Sequence, residues 1–156
     1  MRVFISYSLG RTDQHIASLI SQQAQAKGVT VDSTRHRVPW DAPSAQIISQ
    51  SIKAADVVIA IVSRDSQYTL NVQHELQSAV NLNKPVLALI EKGATSFIQM
   101  PGLRYVEFDR HDPGPAIASI NYTLESQKNQ QNLTSWLIGG GLALLALYLL
   151  SSEDKN

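Results

Sequence analysis

Residues 57–80 read VVIAIVSRDSQYTLNVQHELQSAV, and this stretch decides the fold. Its first six residues, Val57–Val62, are apolar and mostly β-branched, which is typical of a strand buried on both faces of a parallel sheet. A polar turn over residues 63–69 separates this strand from a segment with a helical repeat. The apolar side chains of that segment recur at i, i+4, i+7 and i+8, which predicts one buried stripe of Val72, Leu76, Ala79 and Val80.

One carboxylate, Glu75, is predicted to lie at the edge of that stripe, close to the start of the helix. This places it just past the carboxyl end of the strand, the edge at which open α/β sheets bind their ligands. We therefore take Glu75 as the predicted chemical centre. On the helix alone, a solvated surface glutamate with a capping role is an equally good interpretation.

Strand and helix alternate along the rest of the chain. Strands are predicted over residues 1–6, 29–32, 57–62, 86–90 and 103–108. Helices are predicted from Thr12 to Lys27, over roughly 44–55, from about Val72 to Asn83, and from Pro113 or Pro115 to about Gln127. Thr12 is expected to cap the first helix and Gly28 to end it. The alternation with short connections predicts a three-layer α/β fold, with a flavodoxin-like five-stranded parallel sheet and helices on both faces.

Composition excludes several classes of protein. The chain of 156 residues suits one domain with a short appendage, and without cysteine it has no disulfide, thiolate zinc site or cysteine nucleophile. The formal net charge is zero and the 13 basic residues are dispersed, so no nucleic-acid partner is expected. No metal site is predicted either, because the histidines show no paired spacing: His15, His36, His74 and His111.

The C-terminal residues differ in composition from the rest. Residues 136–150, WLIGGGLALLALYLL, carry no charge, and with their neighbours they give a helix of about 30 Å, long enough to cross a bilayer. Trp136 and Tyr148 lie near its two ends, where aromatic belts occur. The expected organisation is a domain over 1–126, a polar linker over 127–133, a single transmembrane helix over 134–152 as a tail anchor, and a polar tail over 153–156.

The alternative for this segment is a C-terminal core helix, but such a helix normally shows a polar face and this one has none. No apolar signal core is visible at the amino end. The domain is therefore expected on the cytoplasmic side of a membrane.

Several boxes of this sequence resemble the Toll/interleukin receptor (TIR) domains and their bacterial TIR-like relatives. They are VFISYS at 3–8, AKGVTVDS at 26–33, IKAADVVIAIVSRDS at 52–66, NVQHELQSAV at 71–80 and KPVLALI at 84–90. The similarity covers roughly residues 1–125 and rests on the order and spacing of the boxes.

The resemblance implies an activity as well as a fold. Catalytic TIR domains cleave the nicotinamide–ribose bond of NAD⁺, often in bacterial anti-phage defence, and they usually act as assemblies. NAD⁺ is then the substrate, no cofactor is needed, a homo-oligomer is expected, and Glu75 matches the catalytic glutamate. The sequence departs from the family at Asn71, where many active members have an aromatic residue; an asparagine there can cap the helix.

A single carboxylate suits this reaction. Nicotinamide leaves as a neutral group, so no general acid is required, and a carboxylate stabilises the cation-like transition state at the ribose. Four residues are predicted to line the substrate pocket: Ser6, Tyr7, Trp40 and Ser63. Each has a structural alternative, because Ser6 and Tyr7 can satisfy the loop backbone, Trp40 can anchor its loop, and Ser63 can cap its turn. Arg35 and Arg37 either pair with a pyrophosphate or are solvated.

Two other functions remain open. The first is a non-catalytic TIR interaction module, in which the loop over residues 33–43 is an assembly surface and Glu75 is incidental. The second is an enzyme like the nucleoside deoxyribosyltransferases, which use a similar fold and a glutamate nucleophile.

Overall fold

The computed structural model describes residues 1–33, 42–65, 69–95, 103 and 105–129. These residues form five parallel strands and four helices. The strands are β1 (Arg2–Tyr7), β2 (Thr30–Ser33), β3 (Val57–Val62), β4 (Val86–Glu91) and β5 (Tyr105–Phe108). The helices are α1 (Arg11–Ala26), α2 (Ala42–Ala54), α3 (Thr69–Asn81) and α4 (Gly114–Asn129).

The sheet has the strand order β2-β1-β3-β4-β5, and every neighbouring pair is parallel. All six residues of the central strand β3 are buried, as their apolar β-branched composition predicts. The flavodoxin-like five-stranded parallel sheet predicted from the sequence is therefore confirmed. The chain order reverses between β1 and β3, and the crevice at such a point is where open α/β sheets bind ligands.

Apolar side chains cover both faces of the sheet. On one face Val3, Ile5 and Tyr7 of β1 pack with α1 and α4. On the other face Phe4 packs with α2 and with Ala79 of α3. Successive residues of a strand point to opposite faces, so the alternation along β1 builds both layers of the core. We call these the α1/α4 face and the α2/α3 face.

The start of α1 differs from the prediction. The helix begins at Arg11, its N-cap residue is Gly10, and no side chain caps it, so the predicted cap at Thr12 is wrong. Thr12 instead donates from its hydroxyl and its backbone amide to Asp65, at 3.2 Å and 3.4 Å. Gly28 has a φ of +72° directly after the end of α1, as predicted.

The C-terminal organisation is only partly within the described residues. α4 continues through Asn129, so residues 127–129 of the predicted linker are helical. Among the residues described, no helix combines the length and apolar character needed to span a membrane. The predicted spanning segment, 134–152, lies outside them.

Candidate functional site

α3 buries a face that is rotated from the one its apolar residues predict. Three of the four residues in the predicted stripe are buried, but Val80 is 46% exposed. Two polar residues one turn apart, Asn71 and Glu75, take its place in the buried face, with exposures of 8% and 0%. Glu75 is therefore not a solvated surface glutamate, and Asn71, inside the helix, is not its N-cap.

Glu75 lies on the side of α3 that faces α2 and β1. Ala79, one turn after Glu75 on the same side of the helix, packs against Ile48 and Ile52 of α2 and Phe4 of β1. Val72 and Leu76 pack instead on β3 and β4. The carboxylate is thus carried into the layer between α2, α3 and the carboxyl halves of the two central strands.

Ser6 lies on the same face of the sheet as Glu75. It is two residues after Phe4 in β1, so its side chain points to the α2/α3 face, and it pairs in register with Ala60 of β3. Ala60 in turn packs with Leu76, the residue next to Glu75. Ser6 is fully buried, and its Oγ has no hydrogen-bond partner within the described part of the chain.

Asn71 completes this group, and we call Ser6, Asn71 and Glu75 the Glu75 cluster. The Nδ2 atom of Asn71 is buried and has no hydrogen-bond partner among residues that the structure describes. The sequence offered one signal for this role, the spacing of four between Asn71 and Glu75. That spacing indicates a shared face, but it does not show that the face is buried.

Tyr7 lies on the opposite face of the sheet from Glu75. Its side chain is 6% exposed and packs with α1 in the core of the α1/α4 face. It also lines a groove of about 390 Å³ between α1 and β2. The other residues around this groove are mostly polar and uncharged: Gln14, Ala17, Ser18, Ser21, Gln25, Val31 and Ser33. The sheet separates this groove from Glu75.

Ser63 lies directly after β3, apart from both the Glu75 cluster and the groove beside Tyr7. Its hydroxyl donates a hydrogen bond to Oδ1 of Asp65. Burial alone would raise the pKa of Asp65, but hydrogen bonds from the Ser63 hydroxyl and the Thr12 amide, with the charge of Arg110, hold that pKa below its ordinary value. The structure therefore joins Ser63 to charged groups beyond the strand end.

These charged groups form a compact network, which we call the edge ion-pair cluster: Arg64, Asp65, Glu91 and Arg110. Glu91 ends β4 and is 1% exposed. It accepts hydrogen bonds from Nε of Arg64 at 2.7 Å and from Nε and Nη2 of Arg110, both at 2.9 Å. Arg110 also bonds Asp65 at 3.2 Å. Burial raises the pKa of Glu91, but the hydrogen bonds from Arg110 and Arg64 outweigh it and lower the pKa.

The loop between β1 and α1 is held by a further buried pair. The Ser8 hydroxyl donates to Oδ2 of Asp13 at 2.5 Å and accepts from the backbone amide of Gly10 at 3.1 Å. Sequence spacing did not single out Ser8 or Asp13. Trp40, Arg35 and Arg37 lie outside the described residues, so their predicted contacts stay predictions.

The fold and the Glu75 cluster together define a flavodoxin-like α/β domain with a buried carboxylate on the α2/α3 face of its sheet. The family model described as "TIR domain" matches residues 3–122. The chain belongs to the TIR domain family, as its sequence boxes predicted.

Two solved structures are similar to this chain, and one of them shares its fold. The CMP N-glycosidase BcmB of Clostridium botulinum superposes with a TM-score of 0.57 at 14% identity, over 78% of this chain and 99% of that chain. At this identity the likeness shows a shared fold. A Klebsiella pneumoniae protein proposed to be a quinone reductase has a TM-score of 0.46 at 10% identity, over 83% of this chain and 84% of its own, and supports no inference. No curated protein matches the chain.

Proposed function

We propose that this TIR domain is an N-glycosidase that cleaves the nicotinamide–ribose bond of NAD⁺, with Glu75 as the catalytic residue. The observation that carries the proposal is the complete burial of Glu75 on the sheet face that also holds the Ser6 hydroxyl. Placing a carboxylate and an unsatisfied hydroxyl inside an apolar layer costs free energy. Such an arrangement is typical of a functional site, where polar groups are kept for a ligand.

The proposed reaction needs little beyond the carboxylate. The C–N bond breaks, its electron pair goes to the nicotinamide nitrogen, and nicotinamide leaves as a neutral base. Positive charge develops at C1 of the ribose, and Glu75 stabilises that charge in a site removed from water. Water then adds to C1 and loses a proton, which gives ADP-ribose. Ser6, on the same face, is proposed to bind a ribose hydroxyl.

The other residues predicted to line the substrate pocket are not shown in contact with Glu75. Tyr7 lies across the sheet, and Ser63 bonds Asp65, so neither is brought to Glu75 by the described contacts. Both remain proposals as substrate-binding residues, to be tested by substitution. Trp40 remains a proposal for stacking on the adenine or nicotinamide ring.

A second candidate function uses the same site on another substrate. The fold likeness to a CMP N-glycosidase, with a buried glutamate on the ligand-binding edge, favours a nucleotide or nucleoside as the alternative substrate. A deoxyribosyltransferase-like enzyme belongs to this class, with Glu75 as nucleophile. In both cases a base is released from C1 of a ribose or deoxyribose.

The decisive experiment incubates the full-length chain with NAD⁺, CMP and a deoxynucleoside in parallel and measures the free base. We expect nicotinamide release at a rate per molecule of protein that rises with protein concentration, and we expect Glu75→Gln to lower that rate by about 10²- to 10³-fold. Glu107→Gln, on an exposed residue of β5, is the matched control and should release nicotinamide normally. Cytosine or deoxynucleoside base release alone would support the second candidate. No release of any base, or release unchanged by Glu75→Gln, would leave a non-catalytic interaction module as the function.

The setting of the activity is also a proposal. Residues 134–152 are proposed to anchor the domain to a membrane from its cytoplasmic side, and confinement there would favour TIR–TIR association. Anti-phage defence by NAD⁺ depletion or by an ADP-ribose-type signal is the proposed biological role. Fractionation tests the anchor: the full chain should sediment with membranes, and deletion of 134–152 should release it. Full-length chain in the supernatant would contradict the anchor.

A further inference from the structure

We propose that Asn71 contacts the substrate directly, by donating a hydrogen bond from Nδ2 to an uncharged oxygen of the molecule whose bond Glu75 cleaves. The inference rests on the proposed N-glycosidase function and adds to it a residue that determines specificity. It starts from an observation that the reaction itself does not require, the burial of a free amide donor one turn from the carboxylate.

The burial of Asn71 calls for a partner. The residue is 8% exposed, and its Nδ2 has no hydrogen-bond partner in the described residues. A buried amide donor has lost its hydrogen bonds to water, and without a protein acceptor it destabilises the fold. Native proteins therefore rarely retain such a donor. The same is true of the Ser6 Oγ, which lies on the same face. From two such donors on the sheet face that also buries Glu75 we infer that a ligand satisfies them.

The position of Asn71 along α3 sets what it can reach. Asn71 precedes Glu75 by one helical turn, which is about 6 Å along the helix axis. The amino end of α3 follows the carboxyl end of β3, so Asn71 lies on the outer side of Glu75, toward the edge where ligands enter. A nucleotide that brings C1 of its ribose to Glu75 places its neighbouring groups beside Asn71.

The chemistry of the side chain restricts the acceptor. A neutral amide is suited to a carbonyl or hydroxyl oxygen, whereas a phosphate is usually met by arginine or lysine. The arginines of the edge ion-pair cluster are engaged by Glu91 and Asp65. The acceptor is therefore the carbonyl oxygen of the leaving base or the 2′-hydroxyl oxygen of the ribose, which is on the carbon next to C1. A site built on such a bond rejects analogues that lack the acceptor.

The test compares Asn71→Ala and wild type, both as the full chain, on NAD⁺ and on two analogues. One analogue lacks the carboxamide on the pyridine ring, and the other lacks the 2′-hydroxyl on the nicotinamide ribose. We expect Asn71→Ala to lower kcat/KM on NAD⁺ by about 10- to 100-fold, the effect of losing one hydrogen bond to a buried donor. The loss should disappear on the analogue that lacks the acceptor: the first if the acceptor is the base carbonyl, the second if it is the ribose hydroxyl.

Two controls keep the inference falsifiable. Asn71→Leu removes the donor but keeps the volume, and it should reproduce the kinetic loss with a Tm at or above that of wild type. Gln77→Ala alters an exposed amide of the same helix and should leave kcat/KM unchanged. An unchanged kcat/KM in both Asn71 variants, or an equal loss on all three substrates, would overturn the role of Asn71 alone. Absence of base release from the wild type would overturn the proposed function and this inference with it.

Discussion

Two polar clusters lie near the carboxyl edge of one sheet, and they differ in how their groups are satisfied. In the edge ion-pair cluster, Glu91 accepts from two arginines and Asp65 accepts from Arg110, Thr12 and Ser63. The Glu75 cluster, under α3, contains two buried donors without partners among the described residues. The first arrangement pairs its own charges, whereas in the second we propose that a ligand satisfies the two donors.

This difference is the basis for the roles that we propose for the two clusters. Carboxylates that are buried with their full set of donors fix the loops that carry them, which is the role we assign to Glu91 and Asp65. Buried donors without acceptors lower stability, and in the Glu75 cluster we propose that they are retained to bind a ligand. The same Glu→Gln substitution should therefore lower activity in the Glu75 cluster and lower stability in the edge ion-pair cluster.

The largest effect is expected on activity in the Glu75 cluster. Glu75→Gln should reduce nicotinamide release by about 10²- to 10³-fold, because the amide cannot stabilise positive charge on the ribose. The Tm should change little, since the substitution keeps the shape of the side chain. Base release and thermal unfolding are measured on the same samples. A large drop in Tm with activity retained would make Glu75 a structural residue.

The same change in the edge ion-pair cluster should act on stability. Glu91→Gln leaves Arg64 and Arg110 without their shared carboxylate, and the free energy of unfolding should fall by about 2 kcal/mol. This is below the usual range for a buried pair because both arginines are partly exposed. Denaturant titration measures the loss. If kcat on NAD⁺ falls as strongly as in Glu75→Gln, the two clusters are not separate in function.

Gly10→Ala tests how closely the first loop approaches the edge ion-pair cluster. A Cβ at this position would lie 2.8 Å from the backbone oxygen of Asp65, so one of the two backbones must shift. We expect the free energy of unfolding to fall by about 1–2 kcal/mol, as for other overpacked sites. Chemical denaturation provides the measurement, with Gly114→Ala as the control because its closest atom belongs to a flexible side chain. Equal stability of Gly10→Ala and wild type would show that the loop between β1 and α1 can shift at no cost in free energy.

The pH dependence of stability should follow the edge ion-pair cluster. The pKa values of Glu91 and Asp65 are lowered in the folded state, so their contribution is complete above the unfolded values of about 4. It is lost as the pH falls through the lower folded values. Wild type should lose about 1 kcal/mol more than Glu91→Gln between pH 5 and pH 3, measured by denaturant titration. Parallel losses in the two proteins would contradict this assignment.

The smallest effect is expected on the exposed side of α3. Val80 is 46% exposed although it extends the apolar stripe, so Val80→Gln should change the free energy of unfolding by less than about 0.5 kcal/mol. Ala79→Gln, on the buried side, is the comparison and should destabilise strongly. A large effect of Val80→Gln would mean that α3 is buried on the side its apolar residues indicate.

The hydrophobic pattern of the sequence was sufficient to predict the sheet, its class and the placement of Glu75 on the helix that follows the central strand. The pattern did not predict which face of α3 is buried. An apolar stripe assigns polar residues such as Asn71 to the solvent-exposed face of the helix, whereas Asn71 is buried. The cap at Thr12 failed for a different reason: its partner, Asp65, is 53 residues away. Glu91 and Arg64 are likewise 27 residues apart, and such pairings are set by topology rather than by local spacing.

The edge ion-pair cluster has formal charges that sum to zero, with two arginines against two carboxylates. A neutral group of charges has a field that falls off quickly with distance, so it exerts little attraction on a passing dinucleotide and little repulsion on Glu75. The edge ion-pair cluster can therefore be strengthened without altering the electrostatic potential that the proposed substrate meets. Replacing one member alone would add a net charge near the carboxyl edge of the sheet, and the rate at which the proposed substrate is captured would then become sensitive to ionic strength.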